Sequence, residues 1–364
     1  MRTDSYPQDA GFRIGTNSSS LTLKTVYTTD LLNSASGSFS AEVSGLDPST
    51  TYYYQAFMTV SDGKGGYTEI TSSTGSFTTS AVASVSPGYL GCYEIPTISN
   101  LSGTGTSNTN SGRDDKWFRY YTTNSKQQVA THTFTHPTTS KQTRNYTVLY
   151  DESVYAPRWV AYAMHSGTWL DDGSGRSGSW TTDPAINLIQ QTGLDDAQTV
   201  GYSRGHMVSS QERQSSAGQN AQTFYYTNQA PQWQNGFNGG IWSTLEQKIA
   251  ANAPSGRDTL YVVTGVLYEN DTKLPSGSLS VPIPSHFYKC LMKCSFNASG
   301  TMTAASGIAY LYTNESHTSV NYYDSPFVTT IDAIEARTGY DFFPNVPQSL
   351  QTSAESTATP LWTY

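Results

Sequence analysis

Between Gly201 and Ile249 the chain carries side chains whose types suit the cutting of a phosphodiester. Arg204-Gly205-His206 sets a cation beside an imidazole, Asn228 stands in Thr-Asn-Gln-Ala-Pro-Gln, a second amide follows at Asn238, and a carboxylate at Glu246. A phosphodiester repels nucleophiles with its own charge, so catalysis needs a cation at the non-bridging oxygens and a group that takes a proton from water. A neutral histidine suits the second task, because its ordinary pKa lies near the working pH. Mg2+ suits the first. It prefers oxygen ligands and keeps several waters, so one or two protein oxygens can place it. The carbonyl of Asn238 qualifies, and a carboxylate that accepts hydrogen bonds from the ion's waters would orient them without direct contact. Glu246 is the natural candidate.

The elements that must position these groups follow from pattern. Asn238-Gly239-Gly240 reads as a loop running into a helix, with Ile241, Trp242, Leu245 and Ile249 at helical intervals and Asn238 near the cap. Glu246 follows Asn238 by about two turns, on a neighbouring part of one helix surface. Thr223-Phe-Tyr-Tyr226 has the aromatic and β-branched content of a strand. The expectation is a β-β-α unit around one metal ion, with His206 on a strand or loop and Asn228 in the connection.

These boxes resemble those of the DNA/RNA non-specific endonuclease family, the ββα-metal nucleases of the Serratia nuclease and endonuclease G type. The family pattern runs (Asp)-Arg-Gly-His, then Asn-x-x-Pro-Gln, then Asn-x-Gly-x-Trp-x-x-Leu-Glu. It is matched by Arg204-Gly205-His206, by Asn228 with Pro231-Gln232, and by Asn238, Gly240, Trp242, Leu245 and Glu246. The resemblance implies an α+β fold with a central, mainly antiparallel sheet flanked by helices. It implies His206 as general base, Asn238 as the direct Mg2+ ligand with Mn2+ as substitute ion, and Glu246 as holder of metal-bound water. Arg204 and Asn228 would support the phosphate and the site. An arginine in the stretch corresponding to Gly175–Trp180 contacts phosphate in the family, which points to Arg176. Ser203 departs from the pattern, standing where many members have Asp; base and ligand are untouched. The implied activity is cleavage of DNA and RNA, of either strandedness, to 5′-phosphate ends, with backbone contacts and little base reading. Two rivals stand beside it: a non-catalytic binding protein on a degenerate nuclease fold, and a phosphodiesterase of narrower range.

Taken singly, each residue has a plainer reading. His206 alone would be a hydrogen-bonded structural histidine, Asn238 a helix cap, Glu246 a solvated helix position, Arg204 an ion-pair partner and Asn228 a turn amide. His132, His136, His165, His286 and His317 have no motif around them and are read as structural.

A chain of 364 residues suits a smaller module plus a larger one. Only 13% of its residues are charged and the net charge is -8, where a nucleic-acid binder is more often basic. A nuclease needs a local cationic cleft rather than a basic whole, so the boxes outweigh the balance of charge. Cys290 and Cys294 would lie about 13 Å apart on one face of a strand, too far for a bridge, and free thiols are expected there and at Cys92. No apolar run approaches the roughly 20 residues of a membrane span.

In chain order, residues 1–80 read as short strands at 11–15, 38–43, 46–57 and 75–79. The run Leu46-Asp-Pro-Ser-Thr-Thr-Tyr-Tyr-Tyr-Gln-Ala-Phe57, followed by Ser76-Phe-Thr-Thr79, resembles the later strands of a fibronectin type III domain, a small all-β sandwich-like module. Its opening strands are missing, which suggests an N-terminally trimmed chain whose export signal lies outside it. The expected setting is secreted, periplasmic or cell-surface in a bacterium. Residues 81–115 read as linker, 116–350 as the nuclease domain and 351–364 as a tail. Strands are expected at 143–150, 157–164, 258–268, 283–292 and 307–312, and a helix within 328–343 stopped by Gly339. Oligomeric state is left open, a dimer included.

Overall fold

The computed structural model describes residues 9–22, 24–27, 43, 50–61, 66–79, 92–98, 101–110, 113–166, 175–176, 178–190, 200–274 and 281–363. The chain divides into two compact units, Met1–Ser86 and Pro87–Tyr364. Apart from Val43, the strand expected at 38–43 lies outside the described residues.

In the first unit, β1 (Asp9–Gly15), β2 (Lys24–Tyr27), β3 (Thr51–Ser61), β4 (Tyr67–Thr71) and β5 (Gly75–Thr78) form one sheet. The long β3 is its centre, pairing with β1 on one side and with β4 and β5 on the other. Ala10, Ile14, Tyr52 and Phe57 are buried, and Arg13 pairs with Glu69 at 2.6 Å.

The second unit is built on a nine-stranded antiparallel sheet. Its strands are β6 (Leu101–Asn110), β7 (Asp115–Thr122), β8 (Gln127–Thr135), β9 (Gln142–Asp151), β10 (Ala156–Met164), β13 (Thr259–Leu267), β14 (His286–Phe296), β15 (Met302–Thr313) and β16 (Val328–Thr329). Five strands run as a meander from β6 to β10 and four more from β13 to β16. The two meanders join where Trp159–Met164 pairs with Gly265–Leu260. Between β10 and β13 the chain leaves the sheet and forms β11 (Tyr202–His206), α1 (Ala217–Gln222), β12 (Gln229–Trp233) and α2 (Ser243–Ala251). The residues singled out for chemistry thus lie in one excursion from the centre of the sheet.

Burial explains why α2 docks where it does. Ile241, Trp242, Leu245 and Ile249 make an apolar stripe packed with Tyr162, Val262, Phe287, Leu291 and Tyr312 of the sheet. Burial of each large side chain stabilises by roughly 1.5–3 kcal/mol. On the opposite face lie α3 (Ile331–Thr338) and α4 (Gln348–Ser356). The two faces follow from alternation along β15: Ile308 points to the α2 side, whereas a Cβ on Gly307 would sit 2.3 Å from the Ala354 carbonyl oxygen of α4. Thr330 caps α3 by accepting from the Ala333 amide, and Gly339 ends it in the left-handed region at φ 73°.

Cys290 and Cys294 are buried free thiols on β14. No helix among the described residues is long and apolar enough to cross a membrane. Near one end of the sheet His132 is fully buried between two carboxylates. Its Nδ1 lies 2.9 Å from Asp115 and its Nε2 3.1 Å from Asp183.

Two sequence readings are corrected here. Leu101–Asn110, within the expected linker, is a strand paired to β7. The expected tail begins inside α4, whose Ala354 packs on β15.

Candidate functional site

Strand β11 carries Ser203, Arg204, Gly205 and His206, and it pairs antiparallel with β12 in the register Ser203↔Gln232 to His206↔Gln229. The Arg-Gly-His and Pro-Gln boxes are therefore the two strands of one ribbon. A Cβ at Gly205 would fall 2.5 Å from the Gln232 side chain, so only glycine lets that carboxamide lie flat against the ribbon. The ribbon's second strand is Gln229–Trp233, not the expected Thr223–Tyr226. Tyr226–Asn228 instead form a single 3-10 turn that delivers the chain into it.

His206 is half-buried in an aromatic cradle. Its ring lies 4.7 Å from Trp180 and edge-on to Phe224 at 5.1 Å. The Nε2 atom is buried without a hydrogen-bond partner among the described residues. Burial and, after it, the charge of Arg176 press its pKa down to about 3. The ring is neutral at neutral pH and can accept a proton, though as a weak base. An arriving phosphate would bring negative charge that offsets Arg176 and strengthens it.

The turn Gln234–Trp242 departs from the expected helix start. Gly236 has φ 78° and Gly240 φ -129°, ψ -115°, so Asn238 sits in an irregular turn before α2 rather than at its cap. Hydrogen-bond polarity orients its amide. Ser203 donates its hydroxyl to the Gln232 carbonyl at 3.4 Å and accepts from Asn238 Nδ2 at 2.9 Å. The nitrogen faces Ser203, which leaves Oδ1 as the remaining polar atom of a residue that lines the pocket. The turn is pinned from a distant loop. Trp233 donates its amide to Asn314 Oδ1 at 2.8 Å, and Asn314 Nδ2 donates to the carbonyls of Pro231 and Pro284.

Glu246 on α2 is buried, and its Oε1 lacks a hydrogen-bond partner among the described residues. The fully buried Lys289 of β14 approaches Oε1 at 3.9 Å and donates to Tyr162 OH and Thr264 Oγ1. Burial raises the Glu246 carboxyl well above the ordinary range, Lys289 opposes the shift and Glu212 adds to it. Glu212 is itself buried and accepts from Tyr162 OH at 2.9 Å and from the Ser209 amide at 3.1 Å.

Arg176, His206, Gln232, Asn238 and Glu246 line one pocket of about 200 Å³, with Ser209, Ser210 and Ser243 on its walls. A buried carboxylate oxygen without a partner, an amide oxygen and hydroxyls are the donor set of a hard divalent cation. The residues present fit such an ion.

Two expected site residues lie elsewhere. Asn228 is fully buried; its Oδ1 accepts from the Val208 amide and its Nδ2 donates to the carbonyls of Val208 and Thr223. With both ends of the amide committed, it clamps the loop after His206 and is not among the residues lining the pocket. Arg204 is not among the residues lining the pocket; its guanidinium lies over Trp180 at 5.4 Å and Tyr226 at 6.0 Å. Sequence reasoning missed Lys289, Glu212 and the pocket role of Gln232. Only Glu212 carried a local signal, the Ser209-x-x-Glu212 capping pattern.

The model of the DNA/RNA non-specific endonuclease family matches residues 107–349, about two-thirds of the chain. The "Nuclease" of Nostoc sp. is 28% identical over 227 residues, covering 58% of this chain and 75% of its own. That of Serratia marcescens is 30% identical over 223 residues, covering 58% and 77%. The mitochondrial nuclease EXOG of Homo sapiens is 27% identical over 240 residues, covering 62% and 63%. Among solved structures, an EndoG chain in complex with EndoGI is 26% identical, with 56% and 85% coverage and a TM-score of 0.47.

Proposed function

Because the chain belongs to the DNA/RNA non-specific endonuclease family, and is thereby an endonuclease that hydrolyses phosphodiester bonds, we propose that it is a Mg2+-dependent enzyme acting on both DNA and RNA. His206 serves as its general base, and its products carry 5′-phosphate ends. The observation that carries this reading is the convergence of His206, Arg176, Asn238 and Glu246 on one pocket.

Asn238 Oδ1 would hold Mg2+ directly and Glu246 would hold it through water, with Mn2+ as the substitute. Bound there, the ion supplies positive charge opposite the phosphoryl and leaving oxygens. The chain's own residues do the rest. His206 Nε2 takes the proton of the attacking water. Arg176, exposed at the rim, neutralises a non-bridging oxygen and holds the phosphate against the imidazole. Arg204 acts at one remove: its guanidinium rests on the same Trp180 ring that His206 packs against, so it braces the base. In a chain with net charge -8 these local cations carry the attraction for a polyanion, and the surface as a whole favours release.

We place the protein with exported bacterial nucleases, secreted, periplasmic or cell-surface, on its low charge content and its additional β unit; cell fractionation reads this directly. The central experiment incubates plasmid and RNA with the purified protein, with and without Mg2+, beside His206→Ala and Asn238→Ala. Both variants are expected to lose cleavage, and the wild type to lose it on chelation. Equal digestion by wild type and His206→Ala would remove the general-base assignment.

A further inference from the structure

On the sheet face opposite α2, helices α3 and α4 bring three carboxylates together. Asp332 and Glu335 stand about one turn apart on α3, Glu355 lies near the end of α4, and one oxygen of each is within 4.8 Å of the others. That is the widest separation that two ligands about 2.4 Å from the same ion can have. A cluster of acids alone says little, but Glu355 adds a separate observation. It is only 6% exposed, and its Oε1 has no hydrogen-bond partner among the described residues. An ionised oxygen held out of water without a donor is costly to keep.

The surrounding charges make it costlier. The charges acting on Glu355 are Glu335, Asp341 and Asp332, opposed by a hydrogen bond from the Gln351 side chain, and those acting on Glu335 are Asp341 and Asp332, all negative. Arg337, on the same helix, is committed to Glu269 at 2.7 Å. One oxygen of Glu335 accepts from the Phe342 amide at 2.6 Å, which orients the carboxylate and leaves its other oxygen.

We propose that Asp332, Glu335 and Glu355 form a cation site of the calcium class, separate from the nuclease pocket, that staples α3 to α4. Ca2+ accepts carboxylates in one- or two-oxygen modes at 2.3–2.6 Å and completes its shell with water, whereas Mg2+ demands a tighter octahedron. The exposed Asp332 provides the entry path and room for those waters.

The test is a melting experiment on the full chain, stripped with a chelator and measured at pH 8 with about 1 mM CaCl2 or MgCl2. In the wild type Ca2+ is expected to raise Tm by about 5 °C, with a smaller rise from Mg2+. Glu355→Gln and Asp332→Asn remove the rise, and Asn238→Ala retains it, which separates this site from the nuclease pocket. If Glu355→Gln does not fold, the exposed Asp332→Asn carries the test. No rise in the wild type, an equal rise in Asp332→Asn, or loss of the rise in Asn238→Ala would each overturn the assignment. A chelated Glu355→Gln that gains stability while the wild type ignores Ca2+ would show a carboxyl pair sharing a proton instead.

Discussion

His132 and His206 lie on strands of the same unit, and their surroundings drive their charge in opposite directions. At His132 burial alone would strip the ring of its proton, but Asp183 and Asp115 outweigh it and push the pKa up to about 10. Both ring nitrogens are engaged, and the carboxylates are further held by Tyr225 OH at 3.1 Å and Thr227 Oγ1 at 2.5 Å. At His206 burial is reinforced by a cation, Arg176, and Nε2 has no hydrogen-bond partner among the described residues. The first ring is an imidazolium at neutral pH that ties β8 to β7 and to the segment around Asp183. The second is a neutral ring that lines a cavity. Equivalent side chains are held charged or neutral according to whether carboxylates or a cation surround them.

The sharpest way to break this contrast is to remove each ring and compare readouts. His206→Ala is expected to lower kcat/KM by about 10²–10⁴-fold with Tm nearly unchanged. A large fall in stability with residual cleavage would reverse the roles. His132→Phe leaves two buried carboxylates unpaired and is expected to cost about 3–5 kcal/mol in urea unfolding, while the folded fraction keeps its turnover.

The pH dependences carry opposite signs. His132 holds a proton in the folded chain that the unfolded chain loses above its ordinary 6.5. Its contribution is complete below about 6.5 and disappears as pH rises toward about 10. His206 is neutral when folded, so the unfolded chain takes up the extra proton below 6.5 and stability falls from there toward about 3. His132→Phe should flatten the alkaline limb of a stability profile and His206→Ala the acid limb; unchanged limbs would contradict both assignments.

Smaller effects refine the picture. Arg176→Gln is expected to lower kcat/KM about tenfold and to move the acid limb of its pH profile upward, since a positive charge no longer holds the imidazole pKa down. A limb that stays in place would show that Arg176 touches substrate only. Ser203→Ala frees the Asn238 amide to rotate and is expected to raise the Mg2+ requirement about tenfold. Ser203→Asp, which still accepts from Nδ2, should restore it; an unaffected Ser203→Ala would sever that link.

The site was legible in the sequence where it is local. His206, Asn238 and Glu246, which stand in short local boxes, line one pocket, and the stripe Ile241, Trp242, Leu245 and Ile249 predicts α2 with its buried face. What escaped was set by distant partners. Leu101–Asn110 has almost no apolar side chains to pack, and becomes a strand because β7 offers it an open edge. The partners that commit Asn228 to the loop, Val208 and Thr223, are invisible to a motif. Lys289 reads as an ordinary strand cation until β14 is laid beside Tyr162 and Thr264. The start of α2 was misplaced because Gly236 and Gly240 allow backbone angles that no periodicity registers.

Asn314 holds a consequence for biosynthesis. The turn that presents Asn238 is tied through Trp233 and Pro231 to a side chain made some 80 residues later. A nascent chain still short of that asparagine lacks the anchor for this part of its pocket. Translation is thus well advanced before a competent cutter of RNA can assemble beside the message that encodes it.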